Sequence, residues 1–123
     1  MKILNGTSLV NEINAEISHN IKERDLAVKS QWYEKAAKLE ITNQGLASIK
    51  TKIDTGVFNV DTDTSTINHE ELMNEIELTI YTNSKKRDSA IESNEFESAA
   101  KFELLNLGVN QVKQIINLGD HTI

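Results

Sequence analysis

The stretch RDLAVKSQWYEKAAKLE at residues 24–40 decides the fold, because it returns in altered form as RDSAIESNEFESAAKFE at residues 87–103. At this offset of 63 residues, positions 4–53 align with positions 67–116, and twenty-one of the fifty aligned pairs are identical. Self-similarity at a fixed spacing indicates that one structural unit occurs twice in the chain. The sequence therefore predicts two copies of the same small module.

The residues on both sides of each repeated stretch have helical spacing. Apolar side chains recur three or four positions apart over residues 9–28 and again over residues 72–91, the pattern of an amphipathic helix. A break at Gln31-Trp32 predicts a turn, followed by a second helix that ends near Ile53. Its counterpart is predicted over residues 96–118.

Two short polar motifs mark the expected helix starts. Asn68 followed by Glu71 resembles a capping box at the start of the third helix. Thr7 or Ser8 is expected to cap the first helix.

These patterns predict an all-α fold of two tandem αα-hairpin repeats with a 63-residue period, forming a four-helix arrangement. The first hairpin is assigned to residues 1–54, a linker to residues 55–67 and the second hairpin to residues 68–123. A unit of this size leaves much of its apolar surface exposed when alone. The two hairpins are therefore expected to pack on each other or on a second copy.

Within each hairpin, small residues near the turn are expected to allow a close approach of the two helices. Antiparallel folding about Trp32 places Val28 opposite Ala36, and the second copy places Ile91 opposite Ala99.

The same folding places Arg24 opposite Glu40, and Arg87 opposite Glu103. One hypothesis is that each pair bridges its own hairpin and fixes the register of the helices. The alternative is that all four side chains are solvated helix charges, which contribute well under about 1 kcal/mol.

Three aromatic residues lie at the predicted turns and are the candidate partner-binding residues. Trp32 is the only tryptophan of the chain, and it is expected either to anchor an interface or to cover the end of the hairpin core. Tyr33 and Phe96 are expected to plug the core at the turn.

The repeated blocks resemble the UVR motif, a short helical hairpin named for the excision-repair proteins UvrB and UvrC. The shared features are Ala-Ile or Ala-Val, a short turn and an aromatic-Glu-x-Ala-Ala core, present as residues 27–39 and 90–102. Both copies carry Glu followed by an aliphatic residue where the family has Arg-Asp. The resemblance also extends to segments of Clp-type chaperone ATPases and their adaptors. It implies a hairpin that docks on other helices, within the chain, in a dimer or on a partner.

Composition limits the possible functions. Nineteen acidic and thirteen basic residues give a net charge of −6, which argues against simple electrostatic binding to nucleic acid or to an anionic membrane. Cysteine is absent, so disulfides and thiolate chemistry are excluded. No signal-peptide pattern opens the sequence, and a cytoplasmic protein is expected. Thirteen asparagines are typical of an AT-rich genome, such as that of a bacteriophage.

No motif points to catalysis, a cofactor or a metal. The chain has no phosphate-binding glycine loop and no recognisable nucleophile motif. His19, His69 and His121 are scattered and are expected at the surface. A partial calcium-loop spacing begins at Asn59, but Thr64 stands where that loop requires glycine.

The sequence therefore predicts a non-enzymatic protein–protein interaction module. It would act as a small adaptor or inhibitor on a larger bacterial machine for DNA repair, transcription, replication or chaperone-linked proteolysis. One alternative is association with nucleic acid, directly or as an acidic competitor of DNA. Another is a self-assembling structural dimer.

Overall fold

The computed structural model describes residues 1–61 and 65–123, and four helices packed together account for most of them. A two-stranded ribbon joins the helices at one end. In chain order the elements are β1 (Ile3–Asn5), α1 (Gly6–Lys29), α2 (Tyr33–Asp54), β2 (Thr66–Asn68), α3 (His69–Glu92) and α4 (Phe96–Leu118). Each element of the second half begins 63 residues after one of the first half. The all-helical fold class is therefore confirmed, apart from the ribbon.

Asparagine side chains cap the two helices that leave the ribbon. Asn68 Oδ1 accepts a hydrogen bond of 3.1 Å from the Glu71 backbone N–H, as predicted. At the start of α1 the cap is Asn5, whose Oδ1 accepts from the Ser8 N–H at 3.1 Å. The prediction of Thr7 or Ser8 was wrong because the backbone is already extended at Asn5, with φ −78° and ψ 107°, as an N-cap residue requires.

A left-handed residue ends the first helix of each hairpin. Gln31 has φ 61°, its N–H bonds to Val28 O at 3.1 Å, and the next N–H, of Trp32, bonds to Ala27 O at 2.7 Å. This pair of bonds is the Schellman motif, which satisfies the last carbonyl groups of the helix. The second hairpin repeats the two bonds around Asn94, which has φ 60°.

The hydrophobic core lies at the ribbon end of the hairpins. Every core residue in the described part of the chain belongs to the ribbon, the segments beside it or the adjoining halves of the helices. These residues are Leu4, Leu9, Ile13, Leu46, Ile49, Ile53, Phe58, Ile67, Leu72, Ile76, Val109, Val112 and Ile116. Burial of each large aliphatic side chain contributes about 1.5–3 kcal/mol. Both hairpins supply this core, so neither half has a separate one.

Helices α2 and α4 meet closely where Gly45 faces Gly108. A Cβ built on Gly45 would lie 3.0 Å from Gly108 Cα and closer still to the carbonyl oxygen of Leu105. A Cβ on Gly108 would lie 2.9 Å from Gly45 Cα and would overlap the Thr42 carbonyl oxygen. The two backbones therefore touch here, and no larger residue fits either position.

The ribbon was not predicted, and its second strand begins within residues 55–67, the segment assigned to the linker. Strand β1 pairs antiparallel with β2 so that Leu4 faces Ile67. Isolated bridges extend the pairing on both sides, from Leu4 to Thr122 and from Ile67 to Asn59. The predicted linker thus supplies part of β2 and the buried Phe58. Three-residue strands are too short to show an alternating pattern in sequence.

The predicted pairs across each hairpin are only partly as expected. Arg24 Nη1 lies 3.5 Å from Glu40 Oε1, and the Arg87–Glu103 distance is 3.8 Å. The glutamates are about 60% exposed, so each pair contributes less than about 1 kcal/mol and cannot by itself fix the register.

Ala36 and Ala99, expected at the hairpin interface, are buried, but the neighbouring Ala37 and Ala100 are exposed. Val28 and Ile91 were expected to lie opposite the buried pair, but both are 46% exposed. The buried residues beside each turn are therefore alanines, whereas Val28 and Ile91 face solvent.

We predict that Gly45→Ala destabilises the protein by about 1–3 kcal/mol, the usual penalty for overpacking. Helix propensity alone would favour alanine over glycine by about 1 kcal/mol, so the sign of the effect reports the backbone contact. Urea unfolding followed by circular dichroism gives the free energy of unfolding. Ser18→Ala, on an exposed face of α1, is the control and should change that free energy little. A Gly45→Ala protein as stable as the parent would refute the close approach.

Candidate interaction site

The turn ends of the two hairpins form two surfaces far from the core. The first tip is defined as residues 28–38 and the second tip as residues 91–101. Helix α1 starts at the ribbon and has 24 residues, which corresponds to about 36 Å. Neither tip contributes a residue to the core cluster. The tips therefore project away from the part of the molecule that holds the fold together.

The aromatic side chains of the tips are exposed. Trp32 is 62% exposed, Tyr33 63% and Phe96 62%. The prediction that Tyr33 and Phe96 plug the core was therefore wrong. The buried positions between the helices beside the turn are occupied by the small residues Ala27 and Ala36, and the rings of the tip lie outside them. Of the two expectations for Trp32, the structure excludes the one in which it covers the core.

The first tip forms a shallow amphipathic surface. Its hollow has a volume of about 520 Å³ and is lined by residues 31–35 and Lys38. Lys35 Nζ lies 5.6 Å from the centre of the Trp32 ring, within the range of a cation–π interaction. Leu26, on α1 just before the first tip, is 58% exposed. Apolar area bordered by lysines is typical of an interaction surface.

A cluster of polar side chains that was not predicted from the sequence lies at the ribbon end of the molecule. His121 was expected at the surface but is only 7% exposed. Its Nδ1 lies 2.9 Å from Ser8 Oγ, and its Nε2 lies 2.7 Å from Glu12 Oε2. Backbone bonds hold the same segment against β1, from Asn5 N to His121 O at 2.6 Å and from Ile123 N to Ile3 O at 3.0 Å. We call these contacts the tail latch.

Ser8, His121 and Glu12 are hydrogen-bonded in the order of the groups of a hydrolase triad, and the Ser8 hydroxyl has a second acceptor within reach. Ser8 Oγ lies 3.2 Å from the Asn5 carbonyl oxygen, to which it can donate. The single Ser8 O–H donates to His121 Nδ1 when that nitrogen carries no hydrogen, and it donates to the Asn5 carbonyl oxygen when His121 Nδ1–H donates to Ser8 Oγ. In either state the side chain connects the tail to the first turns of α1. The arrangement serves to hold the tail in place.

Extending the internal alignment past residue 116 would have signalled this burial. His121 then aligns with Phe58, which is also 7% exposed. Phe58 O accepts from the Asn68 N–H at 2.8 Å, just as His121 O accepts from Asn5. A position that is aromatic and apolar in one half is thus a buried histidine in the other.

The remaining histidines have different surroundings. His19 is exposed, and His69 is half-buried at the start of α3. Burial and the nearby positive charge of Lys2 lower the pKa of His69 below its ordinary value, although Glu70 opposes the shift.

Two general findings concern only residues 1–61 and 65–123. No three His, Asp or Glu side chains in this part of the chain converge as metal ligands. The positions of the partial calcium loop at Asp63 and Thr64 lie outside the described residues. None of the helices described combines the length and the apolar character needed to cross a bilayer.

We predict that His121→Ala releases the tail latch and lowers the free energy of unfolding by about 1–3 kcal/mol, the cost of losing a buried hydrogen-bonding group. Amide hydrogen exchange at Asn5 and Ile123 should become faster, because both N–H groups bond across this contact. His19→Ala is the matched control and should change neither quantity. Equal effects of the two substitutions would contradict the latch.

Comparison of the chain with known protein families, with curated protein sequences and with solved structures finds no match.

Proposed function

We propose that this protein is a non-enzymatic interaction module that binds another protein through its hairpin tips. The observation that carries the proposal is the exposure of Trp32, Tyr33 and Phe96, each above 60%. All three lie on segments that contribute no residue to the core cluster. Aromatic residues in such positions are frequent binding hot spots. The role is that of a small adaptor or inhibitor.

The proposal includes a finer view of the architecture, as two copies of one helical hairpin related by an approximate two-fold axis. Two contacts support it. Leu4 pairs with Ile67 in the ribbon, and Gly45 lies against Gly108 between the helices. In both contacts a residue meets its own counterpart at the 63-residue offset, as residues on a two-fold axis do. Such a duplication presents two similar tips from a single core.

The resemblance to the UVR hairpin supports a larger bacterial machine as the partner, with DNA repair, transcription, replication and chaperone-linked proteolysis as the candidates. A cytoplasmic and phage-encoded protein fits that proposal and the asparagine-rich composition. The net charge of −6 weighs against a direct role in nucleic-acid binding.

The test is a pull-down from bacterial lysate with the immobilised full chain. We predict a stoichiometric partner whose recovery falls at least about tenfold with Trp32→Ala/Tyr33→Ala, as expected for truncated hot-spot residues. Leu78→Ala is the matched control, because Leu78 is 57% exposed but lies on α3 outside both tips. The tryptophan emission of the parent should shift to shorter wavelength when the purified partner is added, since Trp32 would become buried.

Two results would contradict the proposal. One is the absence of any stoichiometric partner, and the other is equal recovery by the tip variant and the Leu78→Ala control. Measurable DNA affinity at about 0.15 M salt would favour the nucleic-acid alternative instead.

A further inference from the structure

We propose that the first tip of one copy of this chain binds the second tip of another copy. The inference rests on the proposed role of the tips as protein-binding surfaces, and it names a partner for them. The observation behind it is that the two tips have similar apolar residues but opposite charge.

The charge difference arises from matched positions of the two halves. The first tip contains three lysines and one glutamate, for a net charge of +2, whereas the second tip contains one lysine and three glutamates, for a net charge of −2. Lys29 corresponds to Glu92 at the 63-residue offset, and Trp32 corresponds to Glu95. Complementary charge of this kind steers association and selects the partner surface.

Three cations on α3 flank the second tip, and two of them, Lys85 and Lys86, line one hollow together with Glu95. Lys85 Nζ lies 5.1 Å from the centre of the Tyr81 ring, and Lys86 Nζ lies 5.9 Å from the centre of the Phe102 ring. Both rings lie toward the ribbon from the second tip. Arg87 is held by Asp88 at 3.1 Å and approaches Glu103 at 3.8 Å. With these neighbours included, residues 85–103 carry four basic and five acidic side chains, a net charge of −1, and the matching residues 22–40 carry five basic and four acidic ones, a net charge of +1. The neighbours reduce the charge of each tip but leave the two signs opposite.

Both tips also supply apolar area for such a contact. Val28, Trp32 and Tyr33 are exposed on the first tip, and Ile91 and Phe96 are exposed on the second. Apolar side chains surrounded by opposite charges form the usual combination of an interface centre and a polar rim. The tips are small, so the contact belongs to the weak and transient class of interfaces.

The geometry of assembly follows from having one tip of each sign on every chain. A contact between two different surfaces is heterologous, so each copy can engage two neighbours and form a ring or an open chain. This differs from a symmetric dimer, in which the same surface meets itself.

The test uses the full-length chain in sedimentation velocity over a range of protein concentrations. We expect reversible association that weakens between about 0.05 M and about 0.5 M salt, because the exposed charges become screened. Lys29→Glu/Lys35→Glu makes both tips acidic, and Glu92→Lys/Glu95→Lys makes both basic. Each double variant alone should lose at least about tenfold in association constant, since like charges then face each other.

An equimolar mixture of the two double variants should associate again, because acidic tips then meet basic tips. This restoration cannot come from misfolding of either variant. Lys2→Glu/Lys22→Glu is the control: it changes the net charge as much as the first double variant does, but outside the tips, and should associate like the parent.

A parent protein that stays monomeric at all concentrations and salt levels would overturn the inference. Undiminished association of each double variant alone would overturn it as well. The lysate pull-down distinguishes failure of this inference from failure of the proposed function. A recovered partner that depends on Trp32 and Tyr33, together with a monomeric parent, removes only the inference about self-association.

Discussion

The close approach of α2 and α4 at Gly45 and Gly108 is the constraint on which the rest of the structure depends. Since a Cβ at either position would overlap backbone of the other helix, the crossing point is fixed to one residue on each helix. On the ribbon side of this point, side chains from both hairpins fill a common core. On the other side, the helices of each hairpin pack on each other through buried alanines and through buried, hydrogen-bonded asparagines such as Asn20 and Asn106. One contact thus divides the molecule into a body and two tips.

This division separates the residues that hold the fold from those that are free to vary. Leu46, Ile49, Val109 and Val112 are fully buried beside the crossing point, whereas the tip residues lie outside the core cluster. Substitution of an exposed tip residue therefore has little effect on the free energy of unfolding. Trp32 and Glu95 occupy matched positions at the 63-residue offset, and the helices that follow them begin at the matched residues Tyr33 and Phe96. The position a few residues after the second helix of each half also differs: it is Phe58 in the first half and His121 in the second.

Sequence reasoning predicted the helices well because their signals are local. Periodicity and the cap at Asn68 located the third helix, and the bounds of the fourth are as predicted. The exposure of Tyr33 and Phe96 could not be predicted, because it depends on how closely Ala27 and Ala36 bring two helices together. The burial of His121 depends on a strand pairing between residues more than a hundred positions apart. Such long-range contacts leave no local pattern in the sequence. Only the alignment of His121 with Phe58 at the 63-residue offset indicated that His121 is buried.

Amide hydrogen exchange across the whole chain tests the central claim most directly, namely that both hairpins share one core and that the tips stand apart from it. The account predicts equal and strong protection at residues 46–53 and 109–116, because a single cooperative unit opens both. Residues 28–38 and 91–101 should exchange faster, through local opening. Different protection of the two core segments, or tips as strongly protected as the core, would contradict the account.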